Sequence, residues 1–147
     1  MNRNDPAKRY KLARWATLAV STLMAANVLA IGLGSHFAYR YLYFTCVPGM
    51  IAGLGQDNDF GFPALPFTAT ALAMAAAYAL YWALAKRRPG WLKAAFAGII
   101  ADSAVMLPFV IFLRATGGPL FWEYILPAAA LHAAALACLG MGVKARR

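Results

Sequence analysis

Charge is scarce in this sequence, and acid is scarcer than base. Only 13% of its 147 residues are charged, five Asp and Glu stand against fourteen Lys and Arg, and 63% are hydrophobic. So much apolar surface does not fit inside one small soluble core, and the composition predicts that lipid covers much of it. Cysteine is nearly absent: Cys46 is expected in an outer connection and Cys138 near the cytoplasmic end of the last apolar run, too far apart in space to bridge, and no C-x-x-C pair offers thiol redox chemistry. There are two histidines, His36 and His132. A bis-His haem needs its ligands at similar depth, and these two fall at the end of one apolar run and the centre of another. No low-complexity linker or internal repeat divides the chain, so it reads as a single domain over residues 1–147.

Four long apolar stretches fill most of what remains, at about 12–37, 63–85, 91–113 and 120–143. Each is long enough to cross a hydrocarbon core of about 30 Å at about 1.5 Å per residue. Lys86 to Gly90 and Thr116 to Pro119 make short connections, and short connections force antiparallel neighbours. The expected fold is therefore all-α, an integral-membrane four-helix bundle of up-down-up-down order. Small residues allow close helix approach where no hydrophobic drive exists between helices: Ala73, Ala76 and Ala77 in the second stretch, Ala94 and Gly98 in the third, and the alanines around His132. Pro108 and Pro127 permit kinks in the outer halves of the last two spans, as packing kinks or as the widening of an outward cavity.

The cations orient this bundle. Arg3, Lys8, Arg9, Lys11 and Arg14 precede the first span, Lys86, Arg87, Arg88 and Lys93 flank the second connection, and Lys144, Arg146 and Arg147 follow the fourth. Only Arg40 and Arg114 fall on the other side, with the acids Asp57, Asp59 and Glu123. This is the positive-inside bias, so both termini are expected in the cytoplasm. Nucleic-acid binding is set aside, because these cations are spread over three span ends instead of gathered on a groove-reading surface; anionic headgroups of the bilayer are sufficient partners. A cleaved leader is the competing account of the first span, with Gly32-Leu33-Gly34 as a small-residue pattern, but the apolar run is longer than the usual leader core of about 7 to 15 residues. Ala-rich, short-looped economy suits a bacterial inner-membrane protein.

The outer connection 38–62 departs from this economy. Tyr39, Tyr41, Tyr43 and Phe44 suit headgroup depth, and Gln56 to Asp59 form a polar tip. The segment 47–54 reads either as an interfacial loop or as a re-entrant piece lining an outward vestibule. Asp57-Asn58-Asp59 invites a metal, yet a calcium loop counted from Asp57 would place Phe62 and Thr68 where Gly and a bidentate Glu belong. It is expected to be a solvated turn, with Asp57 and Asp59 as outer-loop candidates and no metal or cofactor implied.

Asp102 is the exception among the charges. It stands nine residues beyond Lys93, about 13 Å into the third span at helical rise. An acid there costs at least about 2.5 to 3.5 kcal/mol on insertion scales and is a functional-site hypothesis by default. Ala94, Gly98 and Asp102 share a helix face, so the acid is expected against a neighbouring helix. His132 is its expected partner, because Asp102 lies fifteen residues before Gly117 and His132 fifteen after it, which equalises their depths in a hairpin turning there. Asn27, Tyr78 and Thr70 are candidates to join them from the first two spans.

In size and four-span layout the chain resembles small multidrug-type transporters, whose essential acid lies in the first helix; here the first span carries Asn27 and no acid, so no residue role is carried over. Three function classes follow. The expected one is a non-enzymatic accessory or assembly component, with a membrane partner subunit or copies of itself, in which the polar cluster is packing; the other two are alternatives to it. Another is a small proton-coupled carrier using Asp102 and His132. The third is a lipid- or quinone-modifying enzyme, which would want more convergent catalytic groups than this cluster provides.

Overall fold

A computed structural model of the chain describes residues 5–32, 64–116 and 122–144, and among these every regular element is helical. The helices are α1 (Pro6–Gly32), α2 (Ala64–Ala85), α3 (Trp91–Ala115) and α4 (Trp122–Lys144). The expected outer connection 38–62, with Asp57, Asp59 and the 47–54 segment, lies outside the described residues.

Helix α1 begins earlier than the apolar run. Asp5 accepts a hydrogen bond from the Ala7 amide at 2.9 Å through Oδ1, and Pro6 follows it, the combination that starts helices. Lys8, Arg9, Lys11 and Arg14 are good helix formers and continue the helix instead of preceding it. Three stretches, Thr68–Ala85, Trp91–Phe112 and Ile125–Lys144, are long and apolar enough to cross a membrane, which is compatible with a membrane protein. Over its described residues α1 is not among them; its four cations, Lys8, Arg9, Lys11 and Arg14, fall in its first turns, and no charged residue follows Arg14 in the helix.

Between α2 and α3 the chain turns within five residues. Arg87 and Arg88 donate their amides to Leu84 O at 3.0 and 2.9 Å, and the amides of Trp91, Leu92 and Lys93 bond back to Arg88, Pro89 and Gly90, so most of the backbone donors at the break are satisfied locally. Helix α3 stops where Thr116 folds both its amide and its hydroxyl onto Phe112 O. Pro108 and Pro127 lie inside α3 and α4, exposed on their outer surfaces.

Buried positions recur at alternating three- and four-residue spacing. In α3 they are Leu92, Ala95, Ile99, Asp102, Met106 and Phe109; in α4 they include Ile125, Ala128, His132 and Leu139; in α1 they include Ala13, Thr17, Val20 and Met24. This is the seam of knobs-into-holes packing, and it fixes which face of each helix looks inward. The opposite faces are also apolar, with Leu72, Leu80, Ile100, Leu107, Ile111 and Leu126 exposed, as lipid-facing surfaces are. In α2 the sequence reading of the inner face is corrected. Ala71, Ala75, Tyr78 and Ala85 are buried, whereas Ala73 and Ala76 are exposed and Ala77 half-buried. A helix that is apolar all round carries no phase in its composition, so small size alone does not tell which alanines face a neighbour.

Helix α1 packs on both α2 and α4, α3 packs on α2 and α4, and α1 touches α3 more lightly. The Ser21 hydroxyl donates to Ala75 O at 2.7 Å, and the Tyr10 hydroxyl donates to Ala85 O, joining α1 to α2 at two levels. Gly142 of α4 lies directly on Ala13 of α1.

Candidate functional site

Two of the inward-facing seam positions are ionisable. Asp102 is 1% exposed and His132 is 6% exposed, and His132 Nε2 lies 3.0 Å from Asp102 Oδ2. The pair joins α3 to α4 as the hairpin count predicts. Face, which counting could not supply, follows from the seam: Asp102 lies three residues after Ile99, and His132 four after Ala128, so both occupy inward positions.

The remaining contacts define the protons. His132 Nδ1 is 2.8 Å from Ala128 O, one turn back on its own helix. A carbonyl only accepts, so Nδ1 carries a hydrogen and donates it. That leaves Nε2 and Oδ2, both of which would accept if unprotonated; a hydrogen bond between them requires one shared proton. Carboxylate with imidazolium and carboxylic acid with imidazole are the two ways of holding it, and both leave the pair neutral. Loss of that proton leaves one buried negative charge. Asp102 Oδ1 is buried and has no hydrogen-bond partner among the described residues, so it is the atom at which a second proton or a donor would be received.

Around the pair the surroundings are apolar. A cavity of about 20 Å³ adjoins the imidazole, lined by Val20, Leu23, Met24, Ile99, Leu131 and Ala135. Its volume is that of a single water, but a held water needs two to four polar partners, and among the described residues the imidazole is the only polar side chain in the wall. Ser103, next to Asp102 in sequence, returns its hydroxyl to Ile99 O at 2.6 Å and takes no part.

Of the other expected members, Tyr78 is buried and its hydroxyl covers Gly98, one helical turn before Asp102; a Cβ at that glycine would stand 2.9 Å from the Tyr78 oxygen. Gly98 thus serves as the gap that admits Tyr78 between α2 and α3. Tyr78 meets Tyr81 edge to face with ring centroids 5.9 Å apart, and Tyr81 stacks on Trp91 at 6.0 Å, so an aromatic file runs from the interior to the α2–α3 turn. Thr70 is half-buried in α2. Asn27 belongs to α1, but its side chain lies outside the described set, as do Asp57 and Asp59. Among the described residues no group of three His, Cys, Asp or Glu gathers as metal ligands do.

Sequence reasoning missed the hydroxyl face of α1. Thr17 and Ser21 are buried at i and i+4 above Ala13, with Thr17 bonded to Ala13 O at 2.9 Å and Ser21 to α2. The small-x-x-x-small spacing Ala13, Thr17, Ser21 is the signal that could have found it. Comparison with protein-family models, with curated proteins and with solved structures finds no match for this chain.

Proposed function

We propose that this chain is a small proton-coupled membrane carrier in which Asp102 and His132 hold the exchangeable proton. The observation that carries the reading is the buried 3.0 Å contact beside Asp102 Oδ1, which has no hydrogen-bond partner among the described residues. Were the pair only an adhesive between helices, both carboxylate oxygens would be satisfied, since a half-satisfied buried network is worse than an apolar seam. An open oxygen beside a shared proton is what a site that gains and loses protons requires, and ionisable groups in spans mark proton and ion pathways.

The proposal includes the membrane arrangement. Four spans run up-down-up-down with both termini in the cytoplasm of a bacterial inner membrane. In support, Tyr10 meets Ala85 and Ser21 meets Ala75, while Phe96 lies against Gly140 and Asp102 against His132, so partner numbers fall on one helix as they rise on the other. Lys8, Arg9, Lys11, Arg14, Lys86, Arg87, Arg88, Lys93 and Lys144 then share one end, the cytoplasmic one by the positive-inside rule, facing anionic headgroups and not nucleic acid.

A second reading, the non-enzymatic accessory component, has one observation in its favour. The cavity at the pair, about 20 Å³, is too small for a solute, so a carrier must open further than this conformation. The two separate in everted membrane vesicles with a respiration-driven pH gradient reported by an amine dye. Under the carrier reading, a panel of cationic, anionic and neutral solutes contains one that collapses the gradient with the native chain and not with Asp102→Asn at equal membrane abundance. Identical responses across the panel, with Asp102→Asn still recovering the same membrane partners or copies of itself, would leave the accessory reading.

A further inference from the structure

At the basic end the bundle is not filled. A recess of about 300 Å³ opens between the start of α1, the start of α3 and the end of α4, walled by Tyr10, Pro89, Gly90, Lys93, Gly142 and Val143. Three features give it a ligand class. First, a side chain at Gly90 would meet no atom within 4 Å, so the glycine borders open space. Second, Lys93 is the only charged residue in the wall among the described residues, and Arg9, Arg88 and Lys144 each adjoin a wall residue in sequence, whereas the sole described acid at this end is Asp5, whose Oδ1 is engaged by the Ala7 amide. Third, the recess sits where the apolar stretches Trp91–Phe112 and Ile125–Lys144 begin and end; Trp91, which stacks on Tyr81, follows the wall residue Gly90, and Arg14, one helical turn after the wall residue Tyr10, lies 5.6 Å over the Trp82 ring. Aromatic and cationic side chains together mark headgroup depth.

We propose that this recess binds the phosphate of one anionic phospholipid, with Lys93 as the cation that meets it. Basic pockets between helices on the cytoplasmic side are suited to such headgroups, and the recess is roomy enough for a glycerophosphate group. The inference rests on the membrane reading above but not on proton coupling. Phosphate from a lipid and phosphate from solution share this chemistry, and the acyl chains distinguish them.

The test is native mass spectrometry of the full chain released from mild detergent, titrated with phosphatidylglycerol, phosphatidylcholine or inorganic phosphate. The expected result is one phosphatidylglycerol retained at collision energies that strip phosphatidylcholine, and not displaced by millimolar inorganic phosphate. Gly90→Leu should abolish retention by filling the recess; its backbone at φ −56° and ψ −25° suits any residue. Lys93→Gln should weaken retention about fivefold. Arg87→Gln, which removes an exposed cation that is not in the wall, should leave it unchanged. Equal losses in Arg87→Gln and Lys93→Gln, with none in Gly90→Leu, would mean diffuse surface attraction and overturn the site. Displacement by inorganic phosphate would overturn the lipid as ligand. Circular dichroism checks each variant's fold, and the exposed Lys93→Gln keeps the test decisive should Gly90→Leu not fold. Alkaline extraction of native membranes reads the membrane assignment separately: release of the chain would sink that assignment whatever the lipid data show.

Discussion

Gly142 in α4 lies on Ala13 in α1 with no room for a methyl group between them. The Arg9 carbonyl closes the same contact from the preceding turn of α1. Gly142→Ala must therefore push the two helices apart, and overpacking of this kind costs about 1–3 kcal/mol. The effect should appear as a lower unfolding midpoint in detergent. Gly140→Ala is the matched control, because its new methyl group would meet only the Phe96 ring at 3.5 Å, an ordinary contact. Equal midpoints for the two variants would contradict the packing described.

Asp102 and His132 should behave as one unit in a double-mutant cycle. Removing either side chain alone leaves the other buried without its partner, a loss of about 3–5 kcal/mol, whereas removing both should cost much less than the sum. Asp102→Asn should fold, since its amide can donate to Nε2 in place of the shared proton. Additive losses in the cycle would mean that the two side chains do not meet.

Ser21→Ala deletes the hydroxyl that joins α1 to Ala75 O across the interface. Interhelical bonds of this kind are worth about 0.6 kcal/mol on average, so a small but measurable fall in stability is expected from denaturant titration. Thr22→Ala should show almost none, because its exposed hydroxyl only returns to Leu18 O within its own helix.

Reporter fusions after Arg88 and after Gly117 should score opposite sides of the membrane, with the Arg88 fusion cytoplasmic. Two fusions on the same side would break the up-down order proposed for α2, α3 and α4.

The approach of Asp102 to His132 was legible because it depends on counting. A tight hairpin equalises depth for residues equidistant from its turn, and an acid or imidazole within an apolar run is visible on sight. Inner faces were harder to read. In α2, Ala71 and Ala75 face the core while Ala73 and Ala76 do not, and nothing in a helix apolar on every side records that phase. Serine and threonine in α1 were passed over for a related reason: a hydroxyl in a helix is satisfied equally well by its own backbone, as Thr17 and Thr22 are, or by a neighbour, as Ser21 is. Tyr78 is a polar candidate by its place in an apolar run, and the structure gives it a packing role over Gly98 as well.

Thirty residues separate Asp102 from the histidine that contacts it. At translation rates of about 5–20 residues per second, the ribosome needs about 2–6 s to supply the second after the first. Throughout that interval the acid of α3 exists without its partner, so in the membrane arrangement proposed above it would meet the insertion machinery alone.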